Sequence, residues 1–133
     1  MYADFDFIDT YKMEMAAGRS FSRSFKTDTN LTIIINQAAA AKFGWTDEEA
    51  VGKILTHRYN INSKIIGVVK NFHFKSLHKK IEPLVLYINP GDFRYLSVRV
   101  KTENVADVLC YIKQKWHEFS HDRPFEYFFL DDY

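Results

Sequence analysis

Five consecutive residues near the end of the chain, His117 to His121, have the spacing H-E-x-x-H. On an α-helix, two histidines four residues apart lie on the same face, where they can bind zinc while the glutamate acts as a general base. The motif therefore raises the hypothesis of a zinc-dependent hydrolase whose site is His117, Glu118 and His121.

The helix that would carry this motif argues against a zinc site. Its apolar positions, with Ile112 and Trp116 near the centre, form one stripe when residues are spaced at about 100° each. His117 and His121 lie about 120° and about 160° from that stripe, which predicts that they face solvent. Pro124 disfavours helical backbone at the preceding residue and leaves His121 in the last turn. We interpret the motif as a solvated helix end and keep zinc hydrolysis as an alternative.

A short basic run precedes Glu82 and Pro83 and is the second candidate site. Lysine and arginine total 18 against 17 acidic residues, a formal charge of +1 that gives no electrostatic footprint for nucleic acid. We interpret the run as a solvated loop or as a contact for a partner protein. The candidate contact residues, chosen for their polarity, are Lys75, His78, Lys79, Arg94 and Tyr95.

The sequence contains no motif for other kinds of catalysis. Cys110 is the single cysteine, so neither a disulfide framework nor a cysteine-based zinc site can be built. No serine lies in a G-x-S-x-G elbow, and the glycines are too far apart for a phosphate-binding loop. We therefore predict no catalytic residue, no metal and no cofactor, and a protein that is not an enzyme.

The elements that position these residues indicate an α+β protein with a mixed β-sheet and packed helices. The chain has 133 residues, 47% of them hydrophobic, which suits one domain over 1–133. Asn36 is predicted to cap a helix over Gln37 to Phe43, and Thr46 to open a capping box. A further helix is predicted at Asp4 to Met13, and a turn at Asn89 to Asp92. Strands are predicted at Leu31 to Ile35, Lys53 to Arg58, Lys64 to Lys70 and Leu84 to Ile88. Gly67, inside the third of these strands, predicts a bulge or a close approach of another backbone.

The C-terminal third predicts a strand-helix-strand unit. Tyr95 to Lys101 alternates apolar and polar residues, as a half-buried strand does. Asn104 is a plausible cap for the following amphipathic helix, and Phe125 to Leu130 returns as a second strand. If the two strands are parallel neighbours, the unit is a right-handed βαβ crossover.

Several segments also occur in an order that is typical of one family. The run IIGVVKNFHFKSLH at 65–78 is followed by IEPL at 81–84. Before it come DFIDTY at 6–11, AGRSF at 17–21, INQAA at 35–39 and AVGK at 50–53, and after it FEYFFLDD at 125–132. This ordered set covers essentially the whole chain and resembles the periplasmic core domain of MacB/FtsX-like ABC-transporter permeases, in the form typical of the Bacteroidetes. It departs from that pattern at Asn71, where aspartate is more usual.

The resemblance implies a non-catalytic domain that couples ATP-driven motions of membrane helices to a partner or cargo. The expected partners are the transmembrane helices and ATPase of the same transporter, and a periplasmic adaptor or cargo protein. The expected location is the periplasmic side of the inner membrane, with anchoring helices absent from this chain. On this view, 1–133 is an excised C-terminal part of a permease periplasmic domain, and we expect it to be monomeric in isolation. The remaining alternative is a stand-alone small-ligand sensor with a PAS-like sheet, which requires a sizeable apolar pocket.

Overall fold

Six strands form one mixed sheet in the computed structural model, which describes residues 1–29, 31–57, 61–72, 80–92, 94–101, 103–120 and 122–129. The strands are β1 (Tyr2–Ala3), β2 (Met15–Gly18), β3 (Thr32–Asn36), β4 (Ile54–His57), β5 (Ile61–Val69) and β6 (Val85–Ile88). Their order is β1-β6-β3-β5-β2, and β4 pairs with β5 outside that path. Because β3 occupies one edge of β5, both β2 and β4 pair along the other edge, β4 with the first half of β5 and β2 with the last.

The helices of the described residues are mostly short and flank the strands in sequence. They are α1 (Phe7–Thr10), α2 (Gln37–Lys42), α3 (Asp47–Ala50) and α4 (Val105–Phe119), with 3₁₀ turns at Lys26–Thr29 and Pro90–Asp92. A mixed sheet with packed helices confirms the predicted α+β class. Among the residues described, no helix has both the length and the apolar character that crossing a bilayer requires.

The chain divides into two compact units, Met1–Ser97 and Val98–Tyr133. The first unit contains the whole sheet with α1, α2 and α3, and the second contains α4. Within the second unit, the indole N–H of Trp116 donates to the Arg123 carbonyl at 3.0 Å, and its ring lies 6.5 Å from the Phe125 ring. The expectation of one domain over 1–133 stays a prediction.

The core of the first unit lies on both faces of the sheet. On one face, Ile33, Ile35 and Ile65 pack against alanines of α2 and α3. On the other face, Ile34 and Leu86 pack with side chains of α1 and of the segment after β2. Each fully buried isoleucine stabilises the fold by about 2 kcal/mol. The run of β-branched residues in β3 is therefore buried from both sides, as a central strand requires.

Local hydrogen bonds explain where α2 and α3 begin. The side-chain oxygen of Asn36 accepts from Ala39 N at 3.0 Å, and Thr46 exchanges both bonds of a capping box with Glu49. Asn36 is fully buried, and it also accepts from Leu84 N at 2.9 Å and donates to the Glu82 carbonyl at 2.9 Å. Both caps were predicted from the sequence and are confirmed.

Gly67 is the point of closest approach between β5 and β2, as predicted. Gly18, opposite it, has φ +72°, and a Cβ built there would lie 2.8 Å from Gly67 Cα. A Cβ on Gly67 would lie 2.5 Å from the terminal methyl of Met15. The register between β3 and β5 shifts at the same place, so that Ile66 is an extra residue in β5. Only glycine fits this crossing.

Three predicted elements differ from the structure, one helix in its extent and two strands in whether they form. The predicted helix at Asp4 to Met13 shortens to Phe7–Thr10, because Lys12 adopts φ +51°, which no right-handed helix can include. The predicted strands Tyr95 to Lys101 and Phe125 to Leu130 do not form in the described residues 94–101 and 124–129. The strand-helix-strand unit is thus reduced to its helix. A strand needs a hydrogen-bonded neighbour, and the alternation of side chains shows only that a segment would suit one.

Candidate functional site

The H-E-x-x-H segment lies at the end of α4, and its described members are exposed. His117 and Glu118 face solvent, which confirms the position predicted from the apolar stripe, and His121 lies outside the described residues. The Glu118 carboxylate accepts two hydrogen bonds from Lys115 Nζ, at 2.8 and 3.0 Å. In the part of the chain that the structure describes, no three His, Cys, Asp or Glu side chains are grouped closely enough to hold a metal ion.

The predicted partner contacts are only partly within the described structure. Arg94 and Tyr95 are both exposed, Tyr95 to 78%. Two residues further on, the Ser97 hydroxyl is hydrogen-bonded to the Tyr11 hydroxyl at 2.6 Å. Lys75, His78 and Lys79 lie outside the described residues. The structure therefore places two of the five candidates on the surface and does not test whether the five come together.

Both described flanks of segment 73–79 bind the first turn of α2. On the N-terminal flank, Asn71 Oδ1 accepts from Ala38 N at 2.9 Å, and Asn71 N donates to Gln37 Oε1 at 3.2 Å. On the C-terminal flank, Asn36 holds the backbone of Glu82 and Leu84. An aspartate at position 71 could accept the same bond from Ala38, so the departure from the family pattern preserves the chemistry. The two asparagines therefore hold the described residues on either side of 73–79 against the start of α2.

A buried ion pair, which sequence reasoning missed, fastens the segment after β2 to the sheet. The Arg19 guanidinium donates to Asp28 in a bidentate arrangement, at 2.6 and 2.9 Å. The Asp28 side chain is fully buried, and it also accepts from Ser22 N at 2.9 Å and from the Thr32 hydroxyl at 3.3 Å. The Arg19 guanidinium carbon also lies 4.1 Å from the centre of the Phe25 ring. Every oxygen of this buried carboxylate is therefore paired.

The electrostatics of the pair favour the charged form of Asp28. Burial by itself raises the pKa of the carboxyl group. The hydrogen bonds from Arg19, Ser22 and Thr32, together with the charge of Arg19, outweigh burial and hold the pKa below its usual value. The same contact raises the pKa of Arg19 through its hydrogen bonds to Asp28. The pair is a fixed anchor at neutral pH.

An open cleft of about 590 Å³ lies beside this anchor. It forms where β2 ends at Gly18 and the chain approaches β4 at Val51, since both strands share one edge of β5. Arg19, Leu31 and Lys64 contribute to its walls. In the sequence, Leu31 and Lys64 were visible only as the ends of predicted strands, which gave no sign that their side chains face a common space.

The comparisons with known proteins point to one fold. A domain of a proposed permease protein from Porphyromonas gingivalis superposes with a TM-score of 0.60 at 19% identity, covering 91% of this chain and 54% of that one. The periplasmic region of MacB from Actinobacillus actinomycetemcomitans superposes with a TM-score of 0.52 at 14% identity, covering 86% of this chain and 53% of that one. The chain thus spans about half the length of each. No family model and no curated protein matches the sequence. At these identities the likeness is one of fold, and it confirms the MacB-like periplasmic fold expected from the resemblance.

Proposed function

We propose that this chain is a non-catalytic extracytoplasmic domain of an ABC-transporter permease, which transmits ATP-driven motions of membrane helices to a bound partner or cargo. The observation that carries the proposal is the likeness of fold to the periplasmic region of MacB over 86% of the chain. The ordered sequence segments from 6–11 to 125–132 agree with it independently.

The construction of the sheet unit suits a body that moves as a whole. Its two cores share the central strands β3 and β5, and the buried Arg19–Asp28 pair and Asn36 tie the connecting segments to those strands. Cores packed at crystal-like density resist deformation and pass displacement on. A force applied to one element of Met1–Ser97 would therefore shift the other elements of that unit with it.

The partner surface that we propose consists of Lys75, His78, Lys79, Arg94 and Tyr95. The support is the basic run in the sequence, the exposure of Arg94 and Tyr95, and the fastening of both flanks of segment 73–79. Photo-crosslinking in source cells would test it with the double charge reversal Lys79→Glu plus Arg94→Glu. We expect loss of the crosslinked partner, whereas a matched double reversal at the exposed Lys42 and Lys113 should preserve it. Equal crosslinking by both double variants would remove this surface assignment.

The proposed function itself is tested by fractionating source cells and blotting with an antibody raised against the 15.7 kDa chain. We expect a band much larger than the chain, confined to the membrane fraction, because the domain would belong to a longer permease. A soluble band near the mass of the chain would overturn the transporter proposal.

The two alternatives have less support. A zinc hydrolase would need Glu118 free to act as a base, whereas its carboxylate is bound to Lys115. A small-ligand sensor would need an enclosed apolar pocket, whereas the cleft beside β5 is open and carries Arg19 and Lys64.

A further inference from the structure

We propose that the cleft at the edge of β5 binds an extended protein segment that carries a carboxylate and an apolar side chain two residues apart, on the same face. This inference deepens the proposed function, on which it rests for the presence of a partner protein. It names a second contact surface, separate from the basic run, and the chemistry of what occupies it.

The charge of the cleft selects for acidic groups. Among the described residues that line it, two are cations, Arg19 and Lys64, and none is acidic. Asp28, which pairs with Arg19, does not line the cleft. Lys64 is exposed and forms no ion pair with any residue that the structure describes. An incoming carboxylate would therefore find an uncompensated ammonium group at the wall of the cleft.

The apolar surroundings favour a chain over a small molecule. Leu31 is 55% exposed in the cleft wall, and Ile54, directly opposite Lys64 on β4, is 68% exposed. A drug-sized ligand is held in a pocket that buries most of its surface, and this cleft is open. An extended segment presents side chains of one face about 7 Å apart, so it can place a carboxylate by Lys64 and an apolar group by Leu31 or Ile54.

The walls are held in place before any partner arrives. Arg19 is fixed by two hydrogen bonds to the buried Asp28 and by its stacking on Phe25. Gly18 is pressed against Gly67 at the end of β2. Preformed walls lower the entropy lost on binding, which raises the affinity for an extended segment that would otherwise bind weakly.

The test is fluorescence anisotropy with the whole chain and a labelled peptide in which glutamate and leucine alternate at every second position, with serine between them and glycine at both ends. We expect saturable binding that weakens with added salt. Lys64→Glu should weaken it about tenfold, because one attraction becomes a repulsion. Lys42→Glu, a matched reversal on α2 outside the cleft lining, should leave it unchanged. Leu31→Asp should also weaken binding, and circular dichroism of each variant checks that it is folded.

Three results would overturn the inference. These are absence of binding, equal binding of a lysine–leucine peptide, and equal losses for Lys64→Glu and Lys42→Glu. If ultracentrifugation instead shows a dimer that Leu31→Asp dissociates, the occupant is a second copy of the chain and the peptide proposal is wrong. If Leu31→Asp does not fold, the Lys64→Glu variant alone tests the proposal. If the cleft does not bind the peptide, the result of the membrane fractionation is unaffected, so the two proposals can fail separately.

Discussion

The substitution Asp28→Asn tests the anchor of the segment after β2 with almost no change of shape. It removes the charge that Arg19 pairs with and turns one acceptor oxygen into a donor that faces other donors. Breaking a fully buried ion pair costs about 3 to 5 kcal/mol. Because the Arg19 side chain is 39% exposed and water can reach it, we expect a smaller loss of about 2 kcal/mol in the free energy of unfolding.

The same segment provides a matched control in a second arginine–aspartate pair. Arg23 holds Asp6 through two hydrogen bonds of 2.9 and 2.7 Å and lies over the ring of Phe5, but both charged side chains are more than half exposed. Solvent screens such a pair, so Asp6→Asn should leave the unfolding free energy within measurement error. The two pairs share the bidentate geometry, but Asp28 is buried and also accepts from Ser22 and Thr32, so the comparison measures the combined effect of burial and these two bonds.

Urea unfolding followed by circular dichroism measures both variants. At a slope of about 2 kcal/mol/M, the midpoint for Asp28→Asn should fall by about 1 M. The pKa of Asp28 is lowered in the folded state, so its contribution is complete above the unfolded pKa of about 3.9 and is lost as the pH falls through the folded value. The gap between wild type and Asp28→Asn should therefore be constant near neutral pH and shrink below about pH 4. Equal losses for Asp28→Asn and Asp6→Asn would refute the reasoning.

Contacts elsewhere in the same structure lead to three further predictions. Gly67→Ala should destabilise the protein by about 2 kcal/mol through overpacking, while Gly91→Ala, whose new Cβ meets no atom of the described residues nearer than 3.7 Å, should be neutral in the same urea assay. Asn36→Ala removes the acceptor of two buried backbone amides, Ala39 N and Leu84 N, and should cost about 3 kcal/mol, against about 1 kcal/mol for the exposed cap variant Thr46→Ala. Protein purified without a histidine tag should contain no stoichiometric zinc, and Glu118→Gln should leave its melting temperature unchanged with or without a chelator. Bound zinc at one equivalent would reopen the hydrolase hypothesis.

The features that the sequence predicted well are those that depend on near neighbours in the chain. Asn36 caps a helix three residues away, and Thr46 and Glu49 satisfy each other within one turn. Gly67 was recognisable because a glycine weakens the interior of a β-branched strand, and its presence there marks a bulge or a close approach of backbones. In each case the chemistry that decides the structure lies within the span that a sequence pattern can cover.

The strand prediction at Tyr95 to Lys101 fails because pairing depends on residues distant in the chain. Leu96, Val98 and Val100 do alternate, yet they are 81%, 54% and 38% exposed, and no described strand bonds to them. The alternation shows which side chains would lie on the same face of a strand, but it does not show whether another strand lies alongside to form hydrogen bonds. The same limit hid the anchor, since nothing in the polar stretch after β2 distinguishes the buried Asp28 from an exposed aspartate.

Stability and recognition are separable in the cleft because different residues perform each task. Arg19 lines the cleft and, through its ion pair with the buried Asp28, also holds a connecting segment on the sheet, so a change at Asp28 lowers the stability of that segment. Lys64 and Leu31 line the same space but are exposed, and their side chains hold no other part of the described chain in an ion pair or a buried core. A variant at Lys64 should therefore change peptide affinity while the urea midpoint stays fixed, whereas Asp28→Asn should lower the urea midpoint. Topology accounts for the arrangement, because two strands that share one edge of β5 leave a gap between their ends, and Lys64 and Leu31 beside that gap lie outside the packed core.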